Sequence, residues 1–351
     1  MDAAGEQIKK LDDQVKKADL PTELKSKVLV RLDQLSKLTD SPTFLPEFDR
    51  INRYIDWIVS IPWNTRTQDQ LDLERARKIL DKNHYGLAEI KDRILEYISV
   101  MKLNEEKGNL EEVVRAPILC FVGLVGTGKT TIAASIAEAL GRKFARIPFG
   151  GMGDPLDLRG QSRMKPEAEP GKIIKALRVT QSKNSVILLD EIDRVTEEGR
   201  SSIMGVLVEL LDPEQNSAFV DHYIDYPIDL SEALFITTAN NTHNIATAVL
   251  DRIEPIEMPS YSDEEKITIG KKYMLPKILK TSGIEEGVLT IDEEVWALIV
   301  RPLGFDAGTR TLERTIQGVV RKVARKMVNE QGKTFEITSE NIKEFLPKQS
   351  L

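Results

Sequence analysis

Residues 123–131 read GLVGTGKTT and directly follow the apolar run ILCFV at 118–122. The stretch matches G-x-x-x-x-G-K-[ST] at Gly123, Gly128, Lys129 and Thr130, with an apolar strand pattern before it and a helical pattern, TTIAASIAEAL, after it. That strand–loop–helix context makes the match specific. Glycines let successive backbone N–H groups of Gly123, Leu124, Val125, Gly126, Thr127 and Gly128 wrap phosphate oxygens, and the helix N-terminus adds partial positive charge. In such a loop Lys129 reaches the β- and γ-phosphates of ATP or ADP, and the Thr130 hydroxyl ligates Mg²⁺. The loop alone does not say whether the nucleotide serves a switch, a kinase or mechanical work.

The second half of the site is expected in SVILLDEIDR (185–194). Asp190 ends an apolar strand, where a carboxylate is costly unless it meets a cation or hydrogen-bond donors; Mg²⁺ held through water supplies one. Glu191 beside it can polarise the attacking water, an acid pair that suits ATP hydrolases better than GTP switches or small-molecule kinases. Asp193 reads as a helix-start residue. FITTAN (235–240) places Asn240 at the next strand end, where its amide could orient water or simply terminate the strand. Arg252 in VLDRIEPI and Arg310 in GFDAGTRTLER complete the series, since a guanidinium suits bidentate contact with phosphate.

Around this centre the chain alternates helical patterns with short apolar runs: ILCFVG (118–123), FARIPF (144–149), SVILLD (185–190) and EALFITTAN (232–240). Continuous apolar strands are buried on both faces, which implies an α/β domain with a mostly parallel sheet. Upstream, Ile8, Leu11, Val15, Leu24, Val28, Leu32, Leu35 and Leu38 recur at three-to-four spacing, the mark of amphipathic helices. Pro21 separates two helices, SPTFLPEF (41–48) reads as a turn, and 48–63 as a third helix ended by Pro62. These helices fit either a packed bundle or an arm towards something N-terminal. Downstream of MPSYSDEEK (258–266) helices dominate, with one strand candidate at TFEIT. The expected division is a helical segment 1–64, an α/β nucleotide-binding domain 65–258 and a small helical domain 259–351.

The bulk numbers bound the function. The 351 residues are 41% hydrophobic and 30% charged with net charge -7, a composition of soluble proteins that argues against nucleic acid as the main partner. No stretch reaches the apolar length of a membrane span, so no membrane partner is expected. The charged N-terminus lacks a signal-peptide core. A cytoplasmic location is expected, or an organelle matrix if a targeting segment has been removed. The single Cys120 excludes an internal disulfide framework and reads as a buried small hydrophobe.

The ordered series of phosphate loop, DE-ended strand, strand-terminal Asn and two spaced arginines resembles the AAA+ ATPases. HYGLAEIKDRILEYISV, APILCFVG, LLDEIDR, ELLDPEQNSAFVDHYIDYPIDL, LFITTAN and GTRTLERTI together resemble the ATPase region of Lon proteases. ADLPTELK, YIDWIVSIPW and DLERARKILDKNHYGL resemble the helical linker before it, so the likeness covers nearly the whole chain. It implies a homo-hexameric ring with ATP between subunits, acting on unfolded or damaged proteins in protein quality control. An isolated piece of such a ring can equally be a monomer. By position, Arg252 is implied as the finger reaching the neighbour's γ-phosphate and Arg310 as a second sensor coupling nucleotide state to domain angle. His84 and Tyr85 of HYGL are implied to line the adenine pocket, with plain packing as the alternative for His84.

Two departures stand out. Where the family usually reads GPPGVGKT, Leu124 and Val125 replace the prolines, which leaves backbone donors in place. The loop LRGQSRMKPEAEPGK (158–172) carries Lys165 and Pro166 where the family holds an aromatic and an aliphatic residue that grip polypeptide; Met164 is the nearest apolar side chain. Such a loop is expected to pull poorly, and the alternative function is a nucleotide-gated assembly or regulatory module. Clamp loading or other DNA-linked work has no zinc ligand set or basic cluster to support it. The parent enzyme is implied to be an ATP-dependent serine endopeptidase with a Ser–Lys dyad. The chain ends just after ENIKEFLP, where the small domain would finish, and has no G-x-S-x-G or H-E-x-x-H. No peptidase activity is expected from it alone.

Overall fold

A computed structural model describes residues 3–108, 118–301, 308–330 and 332–346. Ala116 and Pro117 of APILCFVG, residues 304–307 of GFDAGTRTLER and Pro347 of ENIKEFLP lie outside the described residues. Five helices come first: α1 (Ala3–Lys17), α2 (Thr22–Ser36), α3 (Phe44–Ser60), α4 (Leu73–Asn83) and α5 (Ala88–Glu106). Then follow β1 (Ile118–Val122), α6 (Lys129–Leu140), β2 (Phe144–Pro148), α7 (Leu156–Arg159), α8 (Lys172–Thr180) and β3 (Val186–Asp190). Next are α9 (Arg200–Leu211), β4 (Phe219–Val220), β5 (Pro227–Ile228), β6 (Leu234–Ala239), α10 (Thr247–Leu250) and β7 (Ile253–Glu257). The last elements are α11 (Asp263–Ile269), α12 (Leu275–Thr281), β8 (Leu289–Ile291), α13 (Trp296–Val300), α14 (Arg310–Val328), β9 (Phe335–Ile337) and α15 (Ile342–Phe345).

The chain divides into two compact units. The first comprises Met1–Leu71, Ser99–Cys120 and Ala137–Pro255; the second comprises Asp72–Ile98, Phe121–Ile136 and Ile256–Leu351. The five-stranded sheet has the order β2-β3-β6-β1-β7. β2 runs parallel to β3 with Pro148 opposite Asp190, and β3 runs parallel to β6 with Leu189 opposite Thr237. All five residues of β3 and all six of β6 are buried, which is why these strands read as unbroken apolar runs.

In the first unit α1, α2 and α3 pack on one another through the periodic apolar stripe, with Val15, Leu32, Leu35, Ile55 and Ile58 almost fully buried. The turn expected at 41–48 is shorter than the sequence suggested, because α3 already begins at Phe44. Pro46 falls in its first turn, where no intrahelical N–H bond is needed. The helix stops at Ser60, and Ile61 before Pro62 is extended at φ -75°, ψ 130°, as the residue preceding a proline prefers.

In the second unit the helical C-terminal part closes over Trp296, Ile299, Leu312, Ile316, Val319, Val323 and Ile337. Here the expectation that TFEIT is the only strand is corrected. β9 forms within it, but β8 pairs with it in parallel, Leu289 opposite Phe335. A second unexpected pair, antiparallel β4 and β5, lies in the first unit. Two- and three-residue strands are too short for alternation to register. Asp193 is also corrected as a helix start: it sits in a 3₁₀ turn over Ile192–Arg194, and α9 begins only at Arg200.

Candidate functional site

The phosphate loop lies in the second unit. It leaves β1 at Gly123 and enters α6 at Lys129, with Gly126 at φ +86° and Gly128 at φ +100°. Side-chain-bearing residues resist these left-handed conformations. Thr127 Oγ1 donates to the Leu124 carbonyl at 2.9 Å, and the Tyr261 hydroxyl donates to the Thr127 carbonyl at 3.2 Å. Burial pushes the Tyr261 phenol up to about 12, so it remains a donor. Lys129 is 7% exposed, its ammonium donating to the carbonyls of Gly123 at 2.5 Å and Leu124 at 3.0 Å. Thr130 follows it, half-buried; Leu124 is exposed and Val125 half-buried.

The GTR sequence closes on this loop from the same unit. Thr309 donates to the Gly126 carbonyl through its N–H at 3.0 Å and through its hydroxyl at 3.2 Å. The approach is so close that a Cβ on Gly308 would stand 2.4 Å from the Val125 carbonyl oxygen. Arg310 starts α14 immediately behind, with an exposed side chain. His84, after α4, is buried, its Nε2 2.9 Å from the Ser135 hydroxyl of α6. Burial first, then the nearby Lys91 charge, push its imidazole down to about 4. Lys91 itself is held by Asp81 and by the His84 carbonyl, each at 2.7 Å. His84 is thus bonded to α6 through Ser135. Tyr85 stands edge-on to Tyr273, ring centres 6.3 Å apart.

The acidic cluster lies in the first unit. Asp190 is 3% exposed. Its Oδ1 accepts from the Thr238 hydroxyl at 2.5 Å and its Oδ2 from Arg146 Nε at 2.6 Å. Glu191 is left-handed at φ 59°, ψ 50°, and its N–H donates to the same Thr238 hydroxyl at 2.8 Å. The Glu191 carboxylate lies 3.8 Å from Arg194. Asn240 Nδ2 is 3.5 Å from Asp193 Oδ2, while Asp193 Oδ1 is buried without a hydrogen-bond partner. The structure thus joins Asp190 to Glu191 through Thr238, with Arg146 on the other Asp190 oxygen, and pairs Asn240 with Asp193 separately; Arg146 and Thr238 are two residues that motif reading passed over.

Arg252, also in the first unit, is turned onto its own chain. It donates to Asp212 Oδ2 at 2.8 Å and to the Ala248 carbonyl at 2.8 Å. That bond is the main cause holding the Asp212 carboxyl below its usual range.

The loop bearing Met164, Lys165 and Pro166 projects between α7 and α8 with Met164 83% exposed. Its base is clamped by Asp221, fully buried, which accepts N–H bonds from Gly171 at 2.7 Å, Tyr223 at 2.8 Å and Ile224 at 3.1 Å. The clamp comes from the phrase DPEQNSAFVDHY, in which nothing local marks Asp221 as buried.

Each taken by itself, the loop of the second unit fits nucleotide phosphates and the Asp190 cluster of the first unit fits a water-held Mg²⁺. The loop is a backbone cradle with a buried ammonium at its centre, and Asp190 has both oxygens engaged, as suits a carboxylate that reaches a metal through water. Among the described residues there is no group of three or more His, Cys, Asp or Glu that could cage a metal. Mg²⁺ typically needs only one or two protein ligands besides phosphates and water.

Comparison with known proteins agrees in kind. Residues 119–260 match the family described as ATPase family associated with various cellular activities (AAA). Residues 280–335 match the Lon protease AAA+ ATPase lid domain. The chain is 44% identical over 333 residues to Lon protease 2 of Thermus thermophilus, covering 93% of this chain and 41% of that protein. To the Lon protease of Lawsonia intracellularis it is 44% identical over 344 residues, 98% of this chain and 40% of the relative. To that of Clostridioides difficile it is 43% identical over 318 residues, 91% and 39% respectively. The chain thus spans about two fifths of the length of these relatives.

Proposed function

The chain carries the AAA ATPase domain and the lid domain of the Lon proteases, and from that premise we propose that it hydrolyses ATP to unfold and move protein substrates. The observation that carries this reading is the buried Lys129 ammonium inside the phosphate loop, with Thr309 bonded to the back of the same loop. Lys129 trades the Gly123 and Leu124 carbonyls for β- and γ-phosphate oxygens. Thr130 would hold Mg²⁺ directly and Asp190 through water, and the ion would supply charge neutralisation at the phosphates.

Glu191 takes the proton of the attacking water, and Asn240 orients that water. Arg310, at the start of α14, acts as the second sensor that couples nucleotide state to the helical domain. Arg252 leaves Asp212 and reaches the γ-phosphate of a neighbouring copy in a homo-hexamer. His84 and Tyr85 border the adenine, His84 while bonded to Ser135 of α6. The division into 1–64, 65–258 and 259–351 belongs to the same proposal, as do unfolded or damaged proteins as substrates, a role in proteolytic quality control and a cytoplasmic site.

A second reading is favoured by the loop tip, where Met164, Lys165 and Pro166 offer no aromatic. In that reading the chain is a nucleotide-gated assembly or regulatory module that pulls weakly. Lys129→Ala tests the common premise: it should abolish tight ATP binding and turnover, and parental activity would reject the site. Lys165→Tyr separates the two readings, because a faster pull on an unfolded substrate supports translocation and an unchanged rate supports the assembly module.

A further inference from the structure

We propose that Thr238 is a positioning residue for ATP hydrolysis, joining the Asp190 carboxylate to the Glu191 backbone through one hydroxyl. The inference rests on the hydrolytic reading of the site and adds a residue to it. A hydroxyl offers one hydrogen and two lone pairs, and Thr238 uses both functions at once. It donates to Asp190 Oδ1 at 2.5 Å and accepts from the Glu191 N–H at 2.8 Å. Thr238 is fully buried, so water cannot substitute for it.

The geometry explains why the two acids need such a link. Asp190 closes β3, whereas Glu191, the next residue, turns left-handed, a conformation that non-glycine residues hold only when their surroundings impose it. Thr238, on the neighbouring strand β6, binds on both sides of that turn. Arg146 fixes the other Asp190 oxygen at 2.6 Å, but it does so from a side chain that is 51% exposed and touches only the aspartate side of the turn. Among these contacts the hydroxyl alone couples the direction of the metal-side carboxylate to that of the water-side one. Without it, Asp190 keeps the Arg146 donor, whereas Glu191 loses the anchor of its amide and its side chain is aimed less well at the attacking water.

The test uses the 351-residue chain with Thr238→Val, which keeps the shape and removes both bonds, and Thr238→Ser, which keeps the bonds. Two readouts are needed: steady-state ATP hydrolysis, and the Mg²⁺ concentration that half-saturates tightening of a fluorescent ATP analogue. Loss of a residue that orients a metal-site ligand typically costs about 10- to 100-fold. We expect kcat of the valine variant to fall by that factor, KM for ATP to stay within about threefold, the Mg²⁺ midpoint to rise about tenfold, and serine to restore both.

A valine variant with parental kcat and Mg²⁺ midpoint overturns the inference. If in the same experiments Lys129→Ala abolishes binding, the hydrolytic reading survives that failure. If Lys129→Ala binds and hydrolyses like the parent, the reading itself fails. Should the valine variant not fold, Thr238→Cys against Thr238→Ser gives the same contrast, because a thiol is a weak donor. A cysteine variant as active as serine overturns the role.

Discussion

Replacing His84 by glutamine should flatten the acid side of the stability profile. The buried imidazole is pushed down to about 4 from an ordinary 6.5, so the fold holds it neutral. As pH falls, the unfolded chain takes up the proton first, and stability falls wherever the unfolded state binds more protons. The contribution is complete above pH 6.5 and is lost from there down to about 4. At about 1.4 kcal/mol per tenfold, the loss reaches about 2 kcal/mol at pH 5 and about 3 kcal/mol near pH 4. The Lys91 ammonium, held at the His84 carbonyl at 2.7 Å, adds repulsion to the burial cost.

Glutamine carries no titrating proton and can still meet the Ser135 hydroxyl. Urea unfolding of parent and His84→Gln at pH 7.5, 6 and 5, followed by a probe in the second unit, gives the difference between the two. That difference should shift by about 2 kcal/mol against the parent between pH 7.5 and 5. A difference that stays constant over this range would refute the buried, neutral histidine. It would instead place His84 in a wet pocket.

Other perturbations reach the remaining parts. Gly308→Ala places a methyl 2.4 Å from the Val125 carbonyl oxygen and should push Thr309 off Gly126. ATP affinity measured by titration calorimetry should drop about tenfold, or about 1.4 kcal/mol, with the helical domain still folded. Asp221→Leu strands the N–H groups of Gly171, Tyr223 and Ile224. It should cost about 3 kcal/mol on melting and expose the bond after Arg163 to trypsin, with Asp221→Asn milder on both counts. Cys120, pushed up to about 11 chiefly by burial, should resist iodoacetamide at pH 8 in the folded protein and react fully in urea.

Much of this was legible in the sequence, for physical reasons. β3 and β6 are buried on both faces, so each announces itself as an apolar run, and a carboxylate at the end of such a run, Asp190, has to be accounted for by a cation or donors. The glycines, Lys129 and Thr130 sit at spacings that the phosphate cradle dictates. What could not be read was whatever depends on which strand lies beside which. Arg146 and Thr238 look like ordinary residues of β2 and β6 until the order β2-β3-β6 puts them on either side of Asp190. Arg252 and Asp212, 40 positions apart, and Asp221 under the 160–171 loop are equally invisible to local pattern. The short strands β4, β5 and β8 carry too few residues to show a period. Pro46 misled because a first-turn proline and a turn proline look alike without the capping geometry.

The central claim is that the chain couples a bound ATP to a water activated by Glu191, and Glu191→Gln tests it most directly. The amide keeps the size of the side chain and removes the base, whose contribution is on the order of 100-fold or more. ATP affinity and turnover should be measured on the same preparation under conditions where the parent hydrolyses. The account predicts parental affinity with turnover reduced at least about 100-fold, so that ATP stays bound uncleaved. Turnover by Glu191→Gln at the parental rate would contradict it.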